Sequence, residues 1–182
     1  MATKKTLIIE GSSDATNGDL RQGFDKLFSK KMDQNKPKII LGNGKSQAIK
    51  KFLHFKNEGE EVGLLMDLDQ PETNRTKDLQ AQKLEKYKDQ IFYMIQAVEA
   101  WFISQPDILD DYFNADITKK LPKRRPAEIP EPKDILKKAT KGTKKGEYHE
   151  IKHAVELLKR LDATKLENEF PDFKNLIAFL KK

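Results

Sequence analysis

Four carboxylates stand in two short strings that could do chemistry together. Glu10 and Asp14 close the run Glu10-Gly11-Ser12-Ser13-Asp14, and Asp67-Leu68-Asp69 places two acids two residues apart. Carboxylates gathered at one point repel each other unless a cation lies between them. A donor set made only of oxygen invites Mg²⁺ or Mn²⁺. The fold must first bring the two strings together.

The elements that could do so alternate along the first half of the chain. Thr6 to Glu10, Lys38 to Leu41, Val62 to Leu68 and Gln90 to Ile95 are short apolar runs that read as buried strands. Between them, Asp19 to Lys31 carries Leu20, Phe24, Leu27 and Phe28 at helical spacing. Lys45 to Phe55 carries Ile49, Phe52 and Leu53, and Thr76 to Asp89 reads as a polar helix. Strands that are apolar throughout, alternating with helices, predict an α/β core with a parallel sheet of about four strands between helical layers. In such a sheet the strands' carboxyl ends share one edge, where chemistry collects. Glu10 ends the first strand, and Asp67 and Asp69 end the third, with Asp14 in the turn between.

After about residue 103 the strands stop. Helices are expected at 106–113, 148–161 and 171–180, with an extended connector where prolines stand at 122, 126, 130 and 132. The reading is an α/β core over 1–103 and a helical, basic C-terminal part over 104–182 packed on it.

Glu-Gly-x-x-Asp after a first strand, with Asp-x-Asp ending a third, resembles the Toprim domain of primases, topoisomerases and OLD-family nucleases. Gln96-Ala97-Val98-Glu99-Ala100-Trp101-Phe102 and Tyr148-x-x-x-Lys152-His153-Ala154 extend the likeness to small stand-alone bacterial Toprim-like proteins. The resemblance implies a Rossmann-like Toprim fold. It implies that Glu10 is a general acid/base or metal-positioning residue, that Asp67 and Asp69 are metal ligands, and that Asp14 and Glu99 are further ligands. Lys152 resembles the late lysine that neutralises charge on the phosphate. The implied chemistry is hydrolysis of a DNA or RNA phosphodiester, in which metal ions polarise the phosphoryl group and supply hydroxide. Some relatives of this kind accompany an ATPase in anti-phage systems, so the resemblance implies an ATPase partner and a part in anti-phage defence as expectations.

Charge and composition agree with a polyanionic partner. The 182 residues carry a net charge of +6, yet Ile117 to His153 holds twelve basic against five acidic residues. Lys119, Lys120, Lys123, Arg124 and Arg125, with Lys144 and Lys145, are the candidate nucleic-acid contacts. There is no cysteine, hence no disulfide framework and no thiolate metal site. No run of about eighteen apolar residues suggests a membrane span. A cytoplasmic location is expected.

Several strings compete with this reading. His149-Glu150-Ile151-Lys152-His153 matches the H-E-x-x-H pattern of zinc proteases, but Lys152 occupies a position that usually packs inward. Gly42-Asn43-Gly44-Lys45-Ser46 lacks the earlier glycine of a phosphate-binding loop, since Ile39 stands there. Ser12 and Ser13 have no suitably spaced histidine. Phe24, Phe28, Phe52, Phe55, Trp101 and Phe102 are core candidates. The alternative function is a non-catalytic module of the same fold that binds nucleic acid or an ATPase partner.

Overall fold

The computed structural model describes residues 5–14, 18–32 and 35–182, with the backbone alone for residues 13, 14 and 18. Strand β1 (Thr6–Ile9) is buried along its whole length, flanked by β4 (Lys38–Leu41) and β5 (Val62–Asp67), and β6 (Ile91–Met94) completes the sheet. The order is β4-β1-β5-β6, and every pairing is parallel. Residues 13–14 (β2) and 18–19 (β3) form a small antiparallel pair beyond the end of β1, where the sequence predicts a turn.

Alternation along the strands divides the core into two layers. Leu7, Ile9, Leu65, Phe92 and Met94 face one layer, while Ile8, Leu64, Met66 and Tyr93 face the other. The second layer is covered by α2 (Lys45–Asn57) and α3 (Arg75–Ala81), through Ala48, Ile49, Phe52 and Leu79. The first is covered by α1 (Leu20–Ser29) and by six later helices: α4 (Glu99–Ile103), α5 (Pro106–Phe113), α6 (Pro132–Thr140), α7 (Glu150–Arg160), α8 (Ala163–Glu169) and α9 (Pro171–Lys181). Residues 104–182 therefore pack on the sheet and on α1, and one apolar cluster runs from Leu7 to Leu180. Gly23 shows how close this packing is. A Cβ there would lie 3.0 Å from Leu158 side-chain atoms and 3.1 Å from the Val155 carbonyl, so α7 lies directly against α1.

The chain departs from its sequence reading at definite points. The helix expected over 76–89 ends at Ala81. Lys83 takes a left-handed φ of 57°, and a 3₁₀ turn spans Glu85–Gln90. That break returns Leu84 to the buried layer, its N–H bonded to the Leu79 carbonyl at 2.8 Å. The connector expected over 122–132 is broken by a 3₁₀ turn at Pro126–Glu128 and by a left-handed Glu131, and Pro132 already opens α6, which takes in part of the lysine-rich segment. Among the described residues no helix is long and apolar enough to cross a membrane.

Candidate functional site

From β1 the chain passes to β4 on one side of the sheet, then crosses back to β5 on the other. The carboxyl ends of β1 and β5 are thus a topological switch point, where the loops diverge to opposite faces and leave a crevice. Glu10 and Asp67 occupy that point. The Asp67 N–H donates to Glu10 Oε2 at 3.1 Å, and Asp67 Oδ1 accepts from the Val98 N–H at 2.9 Å. Loops after β1, β5 and β6 are thereby tied by two carboxylates.

Backbone strain gathers at the same edge. Asn43 after β4, Asp69 after β5 and Gln96 after β6 have φ of 61°, 59° and 62°. Left-handed non-glycine residues are costly and concentrate where surrounding structure holds them for a purpose. Here the Asp69 N–H donates to the Gln96 carbonyl at 2.7 Å, and the Gln96 N–H to the Gln70 carbonyl at 3.2 Å. This left-handed turn takes Asp69 off the strand. It is exposed, whereas Asp67 is partly buried. The two acids still line one cavity of about 550 Å³, with Glu10 and Glu99.

The electrostatics are those of crowded acids. Burial raises the Glu10 pKa above the usual carboxylate range; the bond from Asp67 opposes the shift and the charges of Asp69 and Asp78 add to it. Asp67 is raised well above its ordinary value by burial, then by Glu99, Glu10 and Asp69. Glu99 opens α4, and burial raises its pKa despite the Tyr148 hydroxyl donating to Oε1 at 2.9 Å. An all-oxygen set of this kind suits Mg²⁺ or Mn²⁺. Among the described residues no three Asp, Glu or His side chains close round a common point. Mg²⁺ does not need such a cage, since it commonly uses one or two carboxylates together with water and substrate phosphate. The Asp14 side chain lies outside what is described.

Two lysines face these acids that the sequence reading passed over. Lys45 Nζ donates to the Asp67 carbonyl at 3.0 Å, and lies 3.3 Å from Asp78 and 3.8 Å from Asp69. It belongs to the Gly42–Ser46 turn, whose first glycine serves packing: a Cβ on Gly42 would meet Ala48 Cβ at 2.4 Å. Lys133, in the first turn of α6, lines the cavity beside Glu99 and Glu150. Burial disfavours its charge, but the bonded Glu150 and nearby Glu99 outweigh this and raise its pKa. Lys152 is exposed, points to the Lys145 carbonyl at 3.4 Å, and is not on the cavity wall.

The histidine string forms a helix start. His149 is the N-cap of α7, its Nδ1 accepting from the Ile151 N–H at 3.3 Å. His153 is buried beside the rings of Tyr112, Phe113 and Tyr148, and its Nδ1 accepts from the His149 N–H at 2.9 Å. Glu150 pairs with Lys133. Of the basic candidates, Lys119 pairs with Asp116, Lys120 Nζ donates to the Ala139 carbonyl, and Arg125 lies 3.8 Å from Glu128. Lys123, Arg124, Lys144 and Lys145 are exposed, with Lys145 Nζ 4.7 Å from the Tyr112 ring centre.

A family model described as "Domain of unknown function (DUF4276)" matches residues 9–181. The chain belongs to this family. The match opens one residue before Glu10 and closes inside α9, so every residue lining the carboxylate cavity falls within it. The matched stretch thus takes in the last residue of β1, strands β4, β5 and β6, and the C-terminal helical cover. No curated protein and no solved structure matches the chain.

Proposed function

We propose that the protein hydrolyses phosphodiester bonds of DNA or RNA as a Toprim-type, Mg²⁺- or Mn²⁺-dependent nuclease. The observation that carries this reading is the joined pair Glu10 and Asp67 at the β1/β5 switch point. Asp67 and Asp69 are the residues to hold the ion, with Glu10 beside it; when bound the ion would polarise the phosphoryl group and lower the pKa of a bound water. Glu10 can also act as general base. Its Oε2 is held by the Asp67 N–H, and its raised proton affinity suits Oε1 to take a proton from the attacking water. Lys133 is placed to offset negative charge growing on the phosphate, the role that the Toprim resemblance gives to Lys152. Lys45, held to the Asp67 carbonyl, fixes the β5 turn that carries Asp69.

An ATPase partner and a part in anti-phage defence rest on the resemblance alone. The deciding experiment incubates the protein with labelled single- and double-stranded DNA and total tRNA, in Mg²⁺, Mn²⁺ or EDTA. Cleavage is expected with metal, and none in EDTA or in Asp67→Asn. Cleavage indifferent to EDTA would reject the mechanism.

A further inference from the structure

A second cavity of about 690 Å³ opens between α1 and the edge strand β4, and its walls are basic. Arg21, Lys26, Lys38 and Lys159 line it against a single carboxylate, Asp25, which Lys36 approaches at 3.4 Å. Among the described residues Lys26 and Lys38 form no ion pair, and both are exposed with Arg21. Confined positive charge of this kind attracts a polyanion more strongly than scattered lysines do.

Two helices connect this groove to the carboxylate cavity. Helix α1 gives Leu20 and Phe24 to the cavity, and Arg21, Asp25 and Lys26 to the groove. On α7, Ile151 and Val155 line the cavity and Lys159 the groove. These three recur every four residues, so they form one stripe running from one site to the other. Eight residues of helix rise about 12 Å, a gap that one strand can bridge with a few phosphates. In the groove Arg21 lies 3.7 Å from Asp19 and Lys159 pairs with Glu156 at 2.7 Å, so Lys26 and Lys38 are its cations without an ion pair among the described residues; in the 117–153 connector Lys119, Lys120 and Arg125 are held by Asp116, the Ala139 carbonyl and Glu128.

We infer that the α1/β4 groove is the track for the phosphate backbone of a nucleic-acid strand whose neighbouring phosphodiester sits at Glu10 and Asp67. This rests on the nuclease reading for its orientation, but it is tested by binding. The probe is a fluorescein-labelled 30-nucleotide single strand, followed by anisotropy in EDTA across a salt series. Two variants are compared with wild type: Arg21→Gln/Lys26→Gln/Lys38→Gln in the groove, and Lys119→Gln/Lys123→Gln/Arg124→Gln in the connector. All six side chains are exposed, and thermal melts check folding. Losing three contacts to a single strand should reduce the slope of log affinity against log salt by about two, and weaken low-salt binding roughly tenfold. The connector variant should keep the wild-type slope. A wild-type slope in the groove variant, loss confined to the connector variant, or no binding by wild type would overturn the track. Cleavage is read separately in Mn²⁺. Groove-dependent binding without cleavage would sink the nuclease reading and leave the track standing, and groove-independent binding with cleavage would do the reverse.

Discussion

Asp67 donates its backbone N–H to Glu10 at 3.1 Å and accepts the Val98 N–H on its own side chain at 2.9 Å. One residue thus links the loops that follow β1, β5 and β6, and the linkage fixes where the acids stand. It does not relieve their repulsion, because burial and neighbouring acids still raise the proton affinity of both Glu10 and Asp67. A divalent cation would relieve that crowding, and so would a proton.

Asp67→Asn should therefore be more stable than wild type in EDTA. Raised above its ordinary 3.8, Asp67 holds its proton more tightly in the folded state than in the unfolded chain. The stability from that proton is complete below the unfolded value and is lost as pH rises through the folded one. At pH 7–8 the substitution removes the penalty while keeping an acceptor for Val98. A gain of about 1 kcal/mol would raise Tm by about 2–4 °C. Wild type should gain about 2.7 kcal/mol at a metal concentration 100 times Kd, and the variant far less. Scanning fluorimetry with and without Mn²⁺ checks both. A variant that melts lower in EDTA, or gains as much from Mn²⁺, would contradict the assignment.

The two lysines should separate cleanly. Lys133 lines the cavity and Lys152 does not. If the nuclease reading holds, Lys133→Ala should lower the cleavage rate by about 10²-fold, the scale for losing one group that stabilises transition-state charge. Lys152→Ala should change it less than about twofold, within the scatter expected of an exposed position. Single-turnover rates in Mn²⁺, with binding measured separately, distinguish them. The reverse ranking would return the role to Lys152.

How much of this was legible in the sequence depends on what fixed each feature. Unbroken apolar runs separated by helical periodicity dictate a parallel sheet, and strand ends place Glu10 and Asp67 at its carboxyl edge without tertiary information. The turn at Asp69 was not legible, because a left-handed residue there answers to the Gln96 carbonyl, which a distant loop supplies. Lys45 sits in a string that fails the phosphate-loop pattern, yet a lysine following the turn after β4 marks the same edge. Lys133 was hidden because its place depends on how α6 docks, and the local pattern there reads only as lysine-rich. The break after Ala81 follows from Leu84 seeking the buried layer, a demand that helical propensity does not express.

His153 should make the fold sensitive to acid. It is buried among three aromatic rings, and its Nε2 has no partner among the described residues. Burial, then the charge of Lys152, lowers its pKa below the ordinary 6.5. The folded state therefore binds this proton less readily than the unfolded chain, and stability falls as pH drops through about 6.5 toward the folded value. His153→Gln should flatten that limb when urea midpoints are compared between pH 7.5 and 5.5. An unchanged pH dependence would show that the imidazole takes up its proton without disturbing the packing.

Asp172 should prove the most sensitive polar position away from the cavity. At the start of α9 it accepts from the Tyr93 N–H at 2.5 Å on one oxygen and from Arg75 on the other. The first bond closes the open edge of β6, where a strand would otherwise present an unpaired donor. Burial raises the Asp172 pKa even with Arg75 beside it, so the carboxylate depends on both partners. Asp172→Ala leaves a buried N–H unsatisfied, at a cost of about 2 kcal/mol. The cost to Arg75 is smaller, because Glu72 still binds it. Asp172→Asn keeps a carbonyl oxygen for Tyr93 and should lose less than half as much. Urea denaturation reads the difference as a shift in midpoint at constant slope. Equal losses in the two variants would mean that charge pairing with Arg75, rather than capping of the β6 edge, is what Asp172 contributes.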